Sequence, residues 1–109
     1  MADRLKVLGQ VALASGVLTD VYAPGAATQA VVSTLVVCNK GTGGSSFRIS
    51  VAPNGAADDP SHYIYYNVGI SETETFATTI GITLGAFDTI RAWASTPDIS
   101  ISIFGTEIV

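Results

Sequence analysis

The chain has 109 residues and a formal net charge of −4, with 48 % hydrophobic and only 13 % charged residues. That is enough for one domain with one core, and the apolar content excludes intrinsic disorder, which needs low hydrophobicity and high charge. The five basic residues, Arg4, Lys6, Lys40, Arg48 and Arg91, are scattered, which argues against the clustered basic patch of a nucleic-acid binder and against an anionic membrane surface.

The opening, MADRLKVLGQ, lacks the basic-then-apolar order of a signal peptide. No apolar run reaches the ~18 residues of a membrane span, so synthesis in the cytoplasm is expected. Residues 1–10 precede the first turn and carry Leu5, Val7 and Leu8. They read either as an edge strand or as an extended arm that adds a strand to a neighbour's sheet. Residues 11–109 read as one β-domain.

Eight short runs rich in strand-forming residues follow one another, broken by Gly, Pro, Asn, Asp and Ser. They span roughly Leu5–Val11, Val17–Ala23, Ala30–Asn39, Ser46–Ala52, His62–Val68, Glu74–Ile82, Thr89–Ala94 and Ile99–Gly105. Phe47, Ile49 and Val51 alternate with Arg48 and Ser50, and Ile99, Ile101 and Ile103 alternate with Ser100 and Ser102. This period of two predicts strands with one buried face. The third run, AVVSTLVVCN, is apolar on both faces. It predicts a central strand or one packed on a neighbouring subunit, with Cys38 buried as a small apolar side chain. A single cysteine excludes an internal disulfide. No segment repeats with the helical period. The expected fold is an all-β, single-domain antiparallel β-sandwich; eight strands suit a jelly roll.

The loop NKGTGGSS sets Lys40 beside Gly41–Gly44. A phosphate loop would place the lysine after the glycines and a helix after both. Here a strand follows, so a flexible hairpin loop is expected, its glycines supplying positive φ. His62 is the only histidine and has no serine nucleophile motif to serve; it reads as a strand-entry residue. Asp58 and Asp59 lack the alternating acidic spacing of a calcium loop and read as a solvated turn. No catalytic constellation, metal site or cofactor site is expected.

HYIYYN gathers three tyrosines. Strict alternation would put Tyr63 and Tyr65 on one face, with Ile64 and Tyr66 on the other. Tyr63, Tyr65 and Trp93 are candidates for a subunit interface, together with Leu5, Val7 and Leu8. Tyr63, Tyr65, Asp58, Asp59 and Asn54 are also the candidates for a sugar-binding module, the alternative reading.

Three stretches read together: LKVLGQ, AATQAVVSTLVVCNKGTGGSSFRISVAPNGA and GITLGAFDTIRAWASTPDISISIFGTEIV. Their order resembles a group of short virion structural proteins of tailed bacteriophages, with V-L-G-Q first, V-V-S-T-L-V-V-C-N in the middle and F-G-x-E-I last. Tyr22 close to Pro24 is a shortened form of a Y-x-x-P turn in that pattern. The resemblance implies a non-enzymatic β-sandwich present in many copies on the virion. Its expected role is a capsid cement or decoration protein, commonly a trimer, touching its own copies and the major capsid protein; tail, baseplate and fibre components are the alternatives.

Overall fold

The computed structural model describes residues 3–109. All eight expected strands are present: β1 Asp3–Ala12, β2 Thr19–Tyr22, β3 Gln29–Asn39, β4 Ser45–Ala52, β5 Tyr63–Ile70, β6 Thr75–Leu84, β7 Thr89–Ala94 and β8 Ile99–Ile108. Two 3-10 turns, Pro53–Gly55 and Pro60–His62, interrupt the β4–β5 connection, each starting at a proline whose missing amide costs no ladder bond. The strands form two four-stranded sheets in the orders β1-β8-β3-β6 and β2-β7-β4-β5. Four of the antiparallel pairs are β1 with β8, β2 with β7, β3 with β6 and β4 with β5. The chain thus folds back on itself as one long hairpin, and its successive pairs alternate between the two sheets. This is jelly-roll connectivity, and it realises the expected sandwich.

The core lies between the sheets, where Leu35, Val37, Ile101 and Ile103 of the first face Phe47, Ile49, Ile90 and Ala92 of the second. Fully burying one of the larger side chains, a Val, Leu, Ile or Phe, contributes roughly 1.5–3 kcal/mol. Phe47 is the largest wholly buried side chain and packs at 5.3 Å from Phe76 and 6.4 Å from Tyr65, centroid to centroid.

Several expectations need correction. Residues 1 and 2 of the expected arm lie outside the described residues. Residues 3–12 do not project as an arm; they are hydrogen-bonded to β8 from Asp3↔Ile108 to Ala12↔Ser100 and form the sheet's edge strand. Of the two readings of this segment the edge strand is the one observed, and its ladder continues through Ala12. Leu8 sits at a bulge between Val7 and Gly9, which turns its side chain into the core, where it is only 8 % exposed. Leu8 is therefore a core residue and not part of a surface patch.

The segment after β3 is not a hairpin loop, because β3 and β4 belong to different sheets. It is a crossover, and it is tied down. Asn39 is buried, its side-chain amide donating to the carbonyls of Gly43 at 2.9 Å, Ser71 at 3.1 Å and Ile70 at 3.4 Å. Its Oδ1 accepts from the Gly41 amide at 2.9 Å. None of Gly41, Gly43 and Gly44 has positive φ. Gly41 is needed for close approach, since a Cβ there would press into the Asp98 side chain. Cys38, next along β3, is only half-buried. The bulge at Ser33 sets the phase of the strand, so Leu35, Val37 and Asn39 point inward and Cys38 points out.

Candidate functional site

Two surfaces stand out, one on the outside of each sheet. The strand register lines up residues across the first sheet in rows. Leu5, Thr106, Val31 and Thr83 form one row; Val7, Phe104, Thr34 and Thr79 the next. Gln10, Ser102, Val36 and Ala77 form the third, and Ala12, Ser100, Cys38 and Thr75 the fourth. None of these side chains is charged, and none is buried. Leu5 is 86 % exposed and Val7 and Val31 are also open to solvent. With strands ~4.8 Å apart and alternate residues ~6.8 Å apart, the four rows cover a patch of about 19 by 27 Å, or about 500 Å². Sequence reasoning found its edge, at Leu5 and Val7, and missed the rest. The signal was the run of Thr, Ser and Ala on the non-core positions of β3, β6 and β8.

Asp3, opposite Ile108 in the next row, bounds the patch on this face, while the other charges at that end turn toward the opposite sheet. Lys6 bridges Glu107 at 3.2 Å, and the Tyr22 hydroxyl donates to the same carboxylate at 2.5 Å. The Tyr22 bond joins β2 to β8 and so ties one sheet to the other at the end of the sandwich. The hydrogen bond from Tyr22, and then that from Lys6, hold the Glu107 carboxyl below its ordinary range. Burial, reinforced by Glu107, pushes the Tyr22 phenol above the usual tyrosine range.

The second surface is the outer face of β4, β5 and β7. In β5 the pairing runs Ser50↔Tyr63, Ile49↔Tyr65 and Phe47↔Val68, with irregularities on both sides of Tyr65. Each irregularity reverses the side on which the next residue falls. Tyr63 and Tyr65 are therefore on opposite faces, contrary to the simple alternation. Tyr65 turns inward and packs edge-on against Phe76 at 5.5 Å. Tyr63 and Tyr66 come together outside, ring to ring at 5.2 Å and nearly perpendicular. Asn67, at φ 52°, sits in the second irregularity.

Arg48 is the centre of this face. Its guanidinium carbon lies 4.0 Å from the Trp93 ring centroid and 4.3 Å from that of Tyr66. Such cation–π contacts contribute roughly 0.5–1 kcal/mol each at exposed sites. The Arg48 Nε donates to Asn67 Oδ1 at 2.7 Å, which fixes the plane of the group. Arg48 stands opposite Trp93 in the β4–β7 ladder, while Ala92 and Ala94 face the core. Trp93 thus belongs to the outer face and serves there as the floor under Arg48.

A cleft of about 450 Å³ opens beside it, lined by Arg48, Asp58, Pro60, Tyr63 and Tyr66. Burial first, and then the neighbouring Asp58 carboxylate, raise the Tyr63 phenol above the usual range. The β4–β5 connection that carries Asp58 is anchored by Arg91. Its Nη1 donates to Ala56 O at 2.7 Å and its Nη2 to Gly55 O at 3.3 Å, while its Nε meets Asp20 at 2.9 Å. The Asn54 amide donates to Asp88 at 2.8 Å. Asp59 is occupied as the cap of the turn at Pro60–His62, accepting from the Ser61 amide and hydroxyl, which hold its carboxyl below the ordinary range. Asp58 and Asp59 do not converge, and among the described residues no group of His, Cys, Asp and Glu could hold a metal ion. Of the sugar-binding candidates, Tyr63 and Asp58 line the cleft; Tyr65, Asp59 and Asn54 do not. His62 closes the 3-10 turn at the entry to β5, as expected.

No protein-family model and no curated protein matches the sequence. Among solved structures, one of the infectious bursal disease virus Gx strain is similar, with a TM-score of 0.51 and 12 % identity over 97 % of this chain. A structure of the T13 IBDV viral particle is similar at a TM-score of 0.49 and 10 % identity. The chain spans 30 % of the length of either matched chain. At this identity the likeness to the Gx-strain structure is one of fold, an all-β jelly-roll sandwich over nearly the whole chain.

Proposed function

We propose that this chain is a non-enzymatic structural protein of a virus particle, and more narrowly a capsid cement or decoration subunit of a tailed bacteriophage. The observation that carries the reading is the block of four uncharged rows on the outer face of the β1-β8-β3-β6 sheet. A charged partner finds no complement there, whereas a second copy of the same chain loses no ion solvation on docking against it. The face supplies about 500 Å², less than the ~800 Å² per partner of a standard stable interface. A weak contact of this kind suits a subunit held by several neighbours at once, where effective concentration adds to each contact. The likeness to a virus structure over 97 % of the chain supports the same reading. Jelly rolls serve both viral capsids and lectins, so the fold alone does not choose between them.

Deleting the first ten residues is a poor test, because it strips β1 and removes Leu8 from the core. Substituting Val36 with lysine at the centre of the face is cleaner. The wild-type chain should form a homo-oligomer by light scattering and should coat heads that lack it to a fixed stoichiometry. Val36→Lys should fold, remain monomeric and coat poorly. A monomeric wild type with undiminished coating by Val36→Lys would refute the role of the face. Finding the protein only at the tail tip would refute decoration and favour a tail or fibre component.

A further inference from the structure

The cleft on the opposite sheet has a composition that the assembly reading does not use. Arg48 is held flat between Tyr66 and Trp93, and only its Nε is bonded, to Asn67. Among the described residues its two terminal nitrogens have no hydrogen-bond partner and no carboxylate within salt-bridge distance. Asp58 lines the same cleft without pairing to it. A fixed set of donors and a carboxylate acceptor therefore share one cleft whose lining has no net charge. Such a lining penalises an anion through Asp58 and a cation through Arg48. It suits a neutral molecule that both donates and accepts, and adjacent hydroxyls on one ring do both. The walls add the second half of the chemistry. Tyr66 is 58 % exposed, and Tyr63 and Pro60 complete an apolar rim of the kind on which the C–H face of a sugar ring packs. The volume falls within the ~300–1,000 Å³ of small-molecule sites. We propose that the cleft formed by Arg48, Asp58, Pro60, Tyr63 and Tyr66 binds a neutral saccharide, its hydroxyls bridging Arg48 and Asp58 and its ring face on Tyr66. This inference does not depend on the assembly role, since it uses the other face of the sandwich.

The test is an NMR titration of the full chain with a panel of neutral methyl glycosides, alongside a glycan array. Glucuronic acid and glucosamine serve as the charged comparisons. At least one neutral sugar should shift the Tyr63, Tyr66 and Trp93 ring signals in a saturable way, and its charged analogues should bind more weakly. Tyr66→Ala should weaken the interaction about tenfold or more, and Asp58→Lys should abolish it, both without changing the melting temperature or the oligomeric state. The absence of any ring shift across the panel together with an empty array overturns the proposal. So does tighter binding of the acidic sugar, or binding that Tyr66→Ala and Asp58→Lys leave intact.

Discussion

Asn39 offers the sharpest test of how the sandwich is closed. Replacing it with alanine removes two N–H donors shared among three carbonyls and one accepted bond at a site that is almost wholly buried. The bonds are not equal. The 3.4 Å contact to Ile70 is long, and the carbonyls of Gly43 and Ser71 are near enough to the surface to recruit water. The Gly41 amide is buried and would be left without its acceptor. An orphaned buried donor costs about 1–3 kcal/mol, and each ordinary hydrogen bond lost about 1 kcal/mol. With a small cavity added, a loss of about 3–4 kcal/mol is expected, out of a typical total of about 5–15 kcal/mol. In a domain of this size that lowers the melting temperature by about 10–20 °C. Urea unfolding followed by circular dichroism measures it directly. Lys40→Ala, one residue on and exposed, should stay within about 0.5 kcal/mol of wild type. Asn39→Asp adds a pH test. Its carboxylate would face three carbonyl oxygens, so its folded pKa should rise above the unfolded value. The variant should then be least destabilised in acid and lose stability as pH rises through the carboxylate range. An Asn39→Ala variant within about 1 kcal/mol of wild type would refute the claim that this side chain holds the crossover.

Gly105 lies in a central strand where an added Cβ would press into the Val31 carbonyl oxygen; Gly105→Ala should cost about 3 kcal/mol or more by chemical denaturation, whereas Gly43→Ala, with nothing nearby, should be nearly silent. Tyr22→Phe should remove the bond that ties β2 to β8 and cost about 1 kcal/mol. In the wild type, the lowered Glu107 carboxyl contributes stability that is present above its ordinary value of 4.5 and is lost as pH falls through the folded value. The raised Tyr22 phenol contributes stability that is fully present below its ordinary value of 10.0 and is lost as pH rises from there through the higher folded value. Melts across both ranges should therefore be flatter for Tyr22→Phe than for the wild type. Thr73 holds a β-branched side chain at φ 55°, so Thr73→Asn, which tolerates that region, should stabilise by about 0.5–1 kcal/mol, seen as a rise of a few degrees in the thermal melt.

The eight strands were legible in the sequence because one face of each must meet the core. That requirement writes a period of two into runs such as Phe47, Ile49, Val51 and Ile99, Ile101, Ile103. What the sequence left open depends on partners far away along the chain. Pairing β1 with β8 joins residues about a hundred positions apart, and no local pattern distinguishes that strand from a free arm. Phase is the other hidden quantity. A bulge adds one residue against a partner strand and reverses everything after it. Bulges at Leu8, at Ser33 and around Tyr65 are what bury Leu8, turn Cys38 outward while Asn39 goes in, and separate Tyr63 from Tyr65. The tertiary structure alone brings Tyr66 beside Arg48 and Trp93, because the cross-strand ladder, and not the sequence neighbourhood, decides which side chains share a face.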